Sequence, residues 1–74
     1  MADKNGFDFN GRNVYIDYSY MKVMFRWDYI SEKVYVRPYG EPELAEPVPH
    51  HNKIFTDATL FGSEISEEEY LKGK

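Results

Sequence analysis

Hydrophobic residues between positions 13 and 37 recur at every second position, in three separate runs. The alternating apolar positions are Val14, Ile16 and Tyr18 in the first run, Val23, Phe25 and Trp27 in the second, and Val34 and Val36 in the third. A period of two with β-branched and aromatic residues is typical of half-buried strands. We therefore predict three strands, with a tight turn around 19–21 and a connection over 28–32. One long bent strand in place of the first two is the alternative.

A further strand is predicted near the N-terminus. Asn10-Gly11 suits a two-residue hairpin turn, because both positions of such a turn require a positive φ. Phe7 and Phe9 would begin the strand that precedes this turn. The sheet is then an antiparallel meander of three or four strands.

The chain changes character at residue 38, because all four prolines fall between positions 38 and 49. Proline removes a backbone donor and fixes φ, so we expect the sheet to stop near Arg37 and residues 38–52 to form a Pro-rich loop. The segment from Lys53 to Phe61 alternates weakly, and we interpret it as a final strand. Gly62-Ser63 would then turn the chain.

The last element is predicted from its capping residues. Ser66 is followed three positions later by Glu69, the spacing of a capping box, and Ile65 and Tyr70 match a hydrophobic staple. These signals predict a short helix over 66–72. The whole chain is interpreted as one small α+β domain, 1–74, with an antiparallel sheet, the Pro-rich loop and this helix.

Composition restricts the class of protein. The chain has 74 residues, a net charge of −4 and no Cys, which excludes disulfides and Cys-based zinc sites. It is too short for most cofactor-binding α/β folds. No apolar run reaches the ~20 residues of a membrane span, and the first residues resemble no signal peptide, so we expect a cytoplasmic protein without membrane contact. A small core also favours stabilisation by a partner.

Acidic residues concentrate in the second half of the chain. Residues 38–74 carry eight acidic and three basic residues, whereas residues 1–37 carry five acidic and six basic residues. The acids form two clusters: Glu41, Glu43 and Glu46, and Glu64, Glu67, Glu68 and Glu69. They are either ordinary solvated surface or a patch that docks on a basic partner and accelerates encounter.

The predicted sheet has a second face on which basic and aromatic side chains alternate. Its residues are Tyr15, Lys22, Met24, Arg26, Lys33, Tyr35 and Arg37. This mixture suits single-stranded nucleic acid, because bases stack on rings and phosphates meet cations. The acidic net charge counts against that interpretation, so nucleic acid is the less favoured partner. Tyr, Met and Arg are also enriched at protein interfaces.

Catalytic and metal-binding patterns are absent from the sequence. No Ser lies in a Gly-x-Ser-x-Gly motif, and there is no Gly-rich phosphate loop. His50 and His51 would point to opposite sides of an extended segment, which disfavours joint binding of one metal ion. We therefore predict no catalytic residue, no metal and no cofactor.

The favoured function is a non-catalytic, small acidic protein-binding module that acts as a regulator or inhibitor by occupying a partner's surface. Inhibitors of this kind are common in bacteria and phages. The candidate contact residues are Glu41, Glu43, Glu46, Glu64, Glu67, Glu68, Tyr15, Met24 and Tyr35. Two alternatives remain. One is a single-stranded nucleic-acid-binding protein that uses Tyr15, Lys22, Arg26, Lys33, Tyr35 and Arg37. The other is a structural subunit of a homo-oligomer.

Overall fold

The computed structural model of the protein describes Phe9 and residues 11–74. Over these residues the elements follow the order β1 (Val14–Tyr18), β2 (Val23–Asp28), β3 (Lys33–Pro38), α1 (Lys53–Phe61), β4 (Ser63–Ile65) and α2 (Glu67–Lys72). The strands form one antiparallel sheet in the order β3-β2-β1-β4. The predicted α+β class, with an antiparallel sheet and a short C-terminal helix, is confirmed.

The first three strands are separate, as the alternation predicted. Tyr18 pairs with Val23, and Asp28 pairs with Lys33, so a four-residue turn closes each hairpin. Neither turn contains Gly; Lys22 and Glu32 adopt a positive φ instead, of 58° and 57°. The alternative of one long bent strand is therefore wrong.

The predicted N-terminal hairpin cannot be followed into the structure. It depends on Phe7 and Asn10, which lie outside the described residues. Phe9 is described, and its ring packs edge-on against Trp27 with the ring centres 6.0 Å apart. Phe9 therefore contributes to the core next to β2.

The sheet carries a core on each face, with one helix over each. Alternate residues of the strands meet α1 on the first face, where the buried residues are Val14, Ile16, Tyr18, Phe25, Val34, Phe55 and Ala58. On the opposite face a smaller cluster of Tyr15, Met24 and Tyr70 lies beneath α2. The molecule is therefore a sheet between two helices.

Residues Lys53–Phe61 form α1, so the prediction of a strand there is wrong. The Asn52 side chain accepts a hydrogen bond from the Phe55 N–H at 3.0 Å and caps the first turn. Phe55 and Ala58 are three residues apart and both face the core, as on one side of a helix. Burial of this face outweighs the modest β preference of Ile54 and the threonines.

The sequence predicted a turn at Gly62-Ser63. In the structure the chain passes directly from α1 into β4 there. Ser63 pairs with Asp17 of β1, which makes β4 an edge strand of three residues. A Cβ atom on Gly62 would lie 2.7 Å from the Ala58 carbonyl oxygen and 2.9 Å from the Asp17 carbonyl oxygen. Glycine is therefore required where the helix end meets β1.

The Pro-rich segment is held against β3. The Leu44 N–H donates to the Val36 carbonyl at 2.9 Å, and the Val48 N–H donates to the Val34 carbonyl at 2.8 Å. The sheet ends at Pro38, one residue beyond the predicted position. The loop therefore covers part of the outer side of β3.

The capping signals of the C-terminal helix are confirmed. The Ser66 hydroxyl accepts from the Glu69 N–H at 3.1 Å, and the Glu69 carboxylate accepts from the Ser66 N–H at 3.0 Å. The helix spans Glu67–Lys72 and buries Tyr70 against the sheet. A helix this short is not stable alone, so it depends on this packing.

Gly62→Ala is expected to lower the free energy of unfolding by about 1–3 kcal/mol, because the added methyl group overlaps two backbone oxygens. Urea denaturation monitored by circular dichroism measures the change. Ser63→Ala at the neighbouring exposed position is the matched control and should unfold as the wild type does. Equal stability of Gly62→Ala and wild type would contradict the close approach.

Candidate protein-binding surface

Glu43 of the Pro-rich loop joins β2 to α2. Its carboxylate accepts from Arg26 Nε at 2.8 Å and from Arg26 Nη2 at 3.1 Å, and it also accepts from the Tyr70 hydroxyl at 2.6 Å. A bidentate Arg–carboxylate pair is among the stronger polar contacts in proteins. One acid of the predicted docking cluster is therefore used inside the molecule.

The titration of these groups reflects this contact. Burial tends to raise the pKa of Glu43, but the hydrogen bonds from Arg26 and Tyr70 outweigh burial and hold that pKa below its ordinary value. Burial, and then the hydrogen bond to Glu43, raise the pKa of Tyr70 above its ordinary value. Glu43 is thus charged and Tyr70 neutral at neutral pH.

Arg37 fixes the other end of α2. Its Nη1 donates to the carbonyl oxygens of Tyr70 and Leu71 at 3.1 and 3.0 Å, and its Nε donates to the Glu41 carbonyl at 2.9 Å. The last carbonyls of a helix lack partners within the helix, and a cation there also meets the negative end of its dipole. Arg37 therefore acts as a C-terminal cap supplied by the sheet.

A third polar contact joins β1 to the loop and the C-terminus. The Tyr39 hydroxyl donates to the Asp17 carboxylate, and Lys74 Nζ lies 3.1 Å from the same carboxylate. Burial and the hydrogen bond to Asp17 raise the pKa of Tyr39 to about 12. Tyr39 also packs against the smaller core, so this contact closes that face.

The strand residues of the predicted basic and aromatic face do share one face, which α2 partly covers, whereas Lys22 lies in the turn before β2. Tyr15 is buried, while Arg26, Tyr35 and Arg37 are half-buried. Arg26 Cζ also lies 4.4 Å from the centre of the Tyr35 ring. Of the six candidate nucleic-acid-binding residues, the two exposed ones are Lys22 and Lys33, in the turn before β2 and at the start of β3.

The candidate protein-binding residues divide by exposure. Tyr15 and Met24 are buried beneath Tyr70, and Tyr35 is half-buried. Glu64 is exposed and pairs with Arg12 at 2.8 Å. The other exposed acids of the set are Glu41 and Glu46 in the loop and Glu67 and Glu68 in the first turn of α2.

Sequence reasoning missed a cleft lined by aromatic rings, which we call the Tyr20–Phe61 cleft. It is lined by Tyr18, Ser19, Tyr20 and Phe61 and has a volume of about 310 Å³. Tyr20 is 82% exposed and Phe61 73% exposed. The cleft was not predicted because residues 53–61 were interpreted as a strand. In the structure α1 ends at Phe61, which brings the Phe61 ring to the turn before β2.

The two histidines have different surroundings. Both are exposed, but His50 Nε2 lies 2.6 Å from the Glu32 carbonyl oxygen, and the His50 ring lies edge-on to Trp27. Within residue 9 and residues 11–74, no three His, Cys, Asp or Glu side chains are grouped to hold a metal ion. Over the same residues, neither helix has the length and apolar character to cross a membrane.

Comparison with known proteins identifies the class. The chain is 48% identical over 73 residues to the "Immune protein Tis1" of Pseudomonas aeruginosa (strain UCBPP-PA14), covering 99% of this chain and 95% of that protein. A solved structure, the complex between the type VI effector Tas1 and its immunity protein, matches with a TM-score of 0.89 and 46% identity. The match covers 99% of this chain and 95% of the matched chain of the solved structure. The class is thus that of small bacterial immunity proteins.

The family is equally clear. The family described as Tis1 immunity protein matches residues 1–74, and the chain belongs to it. Immunity proteins neutralise by binding, so the predictions of a non-enzyme and of an inhibitor that binds another protein are confirmed.

Glu43→Gln is expected to lower the free energy of unfolding at pH 7 by about 1–3 kcal/mol, because the half-buried Arg26 loses its bidentate carboxylate partner and retains only Asp28 at 3.6 Å. Urea denaturation at neutral pH measures the loss. Glu46→Gln, in the same loop but exposed, is the matched control and should stay within about 0.5 kcal/mol of wild type.

The same variant should change how stability depends on pH. Because the folded-state pKa of Glu43 is lowered, its contribution is complete above the unfolded-state value of about 4.3 and is lost as pH falls through the folded-state pKa. Melting temperatures of wild type and Glu43→Gln should therefore converge in acid. A constant difference from pH 7 to pH 3 would contradict the assignment.

Proposed function

We propose that this chain is the immunity protein of a type VI effector of the Tas1 kind, and that it neutralises the effector by occupying part of its surface. The observation that carries the proposal is the match, over nearly the whole of both chains, to an immunity protein solved in complex with Tas1. A cytoplasmic site of action is part of the proposal and comes from the sequence.

The physical form of the chain supports such a role. Polar contacts at Glu43, Arg37 and Asp17 fasten the loop and α2 to the sheet. A partner would therefore meet a surface that is already ordered, and binding would cost little conformational entropy.

We further propose that the exposed acids direct the approach to the effector. Glu67 and Glu68 stand together in the first turn of α2, and Glu41 and Glu46 lie exposed in the loop. Together with a net charge of −4, they would attract a basic surface and raise the association rate. Their exposure supports this choice over Glu43, which is committed to Arg26 and Tyr70.

The function is tested with purified Tas1 and with any Tas1-like effector from the same genome. The chain should form a complex with one of them that survives nuclease treatment, and co-expression should restore growth of cells that carry that effector. Absence of binding and of protection with every such effector would overturn the proposal. If the tagged chain instead captures partners from a cell lysate only when nuclease is left out, the nucleic-acid alternative is favoured.

The role of the acids is tested by Glu67→Lys and Glu68→Lys, singly and together. The double variant should associate with the effector about tenfold more slowly at low salt, because steering is lost, while dissociation changes less. Stopped-flow mixing over a salt series measures both rates. Glu32→Lys, in the turn between β2 and β3, makes the same charge change per site elsewhere on the molecule.

Equal association rates for wild type and the double variant would contradict the steering role. Each substitution also removes a favourable interaction between an acidic side chain and the positive end of the α2 dipole, worth about 0.3–1 kcal/mol. Urea denaturation should therefore confirm that the variants are folded.

A further inference from the structure

The Tyr20–Phe61 cleft lies where the turn before β2 meets the end of α1. The Tyr18 and Tyr20 rings form one wall with their centres 6.1 Å apart and their planes inclined by 38°. Phe61 lines the same cleft from the last position of α1. Two aromatic rings more than 70% exposed therefore border one depression.

Folding does not account for this arrangement. The core over the α1 face of the sheet is closed by Phe55 and Ala58, and Phe61 and Tyr20 add little to it. Neighbouring large apolar groups left in water mark interaction surfaces more often than single exposed residues do. Tyr and Phe also suit an interface core, because they offer a large contact area with few rotatable bonds.

The helix α1 carries a carboxylate on the same side as Phe61. Asp57 precedes Phe61 by four residues in α1, so the two side chains occupy the same face of the helix. Burial and then the negative charge of Asp57 raise the pKa of Tyr18, which places the carboxylate within electrostatic reach of the aromatic wall. Its partner within the chain, Lys53, is 3.9 Å away and 87% exposed, so that pair holds Asp57 weakly.

Aromatic faces beside a carboxylate select a flat cation. An arginine guanidinium stacks on rings through cation–π attraction and donates in the plane of a carboxylate at the same time. A phosphate would meet the negative charge of Asp57 and negative ring faces, which disfavours nucleic acid here.

We propose that an arginine side chain on the surface of the effector inserts between Tyr20 and Phe61 and pairs with Asp57. The proposal rests on the proposed function, because it names the contact through which the immunity protein holds its effector. The exposed acids act on the approach of the partner, whereas this contact acts on the lifetime of the complex.

The test uses the effector to which wild type has been shown to bind. Tyr20→Ala and Phe61→Ala should each weaken affinity by about tenfold or more, mainly through faster dissociation. Asp57→Asn should weaken affinity by a smaller factor and reduce its dependence on salt. Ile30→Ala is the matched control, because Ile30 is 79% exposed in the turn at the other end of β2.

The partner residue is identified from the effector side. Each surface arginine of the effector is replaced by Ala, and affinity is measured against both wild type and Asp57→Asn. For one arginine the two losses should be non-additive, as expected for groups in direct contact. Near-ultraviolet circular dichroism and melting temperatures confirm that each variant is folded.

The outcomes separate the two proposals. If wild type binds no effector, the proposed function is wrong, and the proposed arginine contact is wrong as well. If wild type binds and the aromatic variants match Ile30→Ala, the function stands and the contact is wrong. If the aromatic variants weaken binding but Asp57→Asn does not, the cleft holds an apolar side chain, and the arginine assignment is overturned.

Discussion

The fold of the smaller face depends on one carboxylate. Glu43 belongs to a loop without regular secondary structure, yet it accepts hydrogen bonds from Arg26 in β2 and from Tyr70 in α2. A six-residue helix has too few internal hydrogen bonds to persist alone. This contact therefore links the loop, the sheet and α2, and it acts together with the packing of Tyr70 over Tyr15 and Met24.

The acidic residues of the chain fall into two groups, one with partners inside the fold and one exposed to solvent. Glu43 and Asp17 serve inside the molecule, where Arg26, Tyr70, Tyr39 and Lys74 are their partners. The exposed acids of α2 and of the loop remain on the surface. The Glu43–Arg26 and Asp17–Lys74 pairs are each neutral, so the net charge of −4 comes from the other charged groups of the chain.

Local signals made much of the fold predictable from sequence. The three strands follow from a period of two, and α2 follows from the Ser66–Glu69 spacing, because both patterns act between close neighbours in the chain. The helix Lys53–Phe61 was missed since Ile54 and Thr56 favour strands, although Asn52 as N-cap and Phe55 and Ala58 three residues apart were available signals. β4 is three residues long and exists only because β1 lies beside it.

The functional surface was less predictable for a related reason. Glu43 resembles Glu41 and Glu46 in the sequence, and only the tertiary fold brings Arg26 and Tyr70 to it and not to them. Tyr20 and Phe61 are 41 positions apart and come together because α1 ends where β1 and β2 turn. Because residues 53–61 were interpreted as a strand, the cleft could not be predicted.

The loop along β3 has a consequence for behaviour at high concentration. An unprotected edge strand presents backbone groups on which a second chain can build a further strand. Here the Val34 and Val36 carbonyls of β3 are already occupied by the N–H groups of Val48 and Leu44. The loop thus acts as a guard against aggregation through the β3 edge, so that a second copy of the chain cannot add a strand there without first displacing the loop.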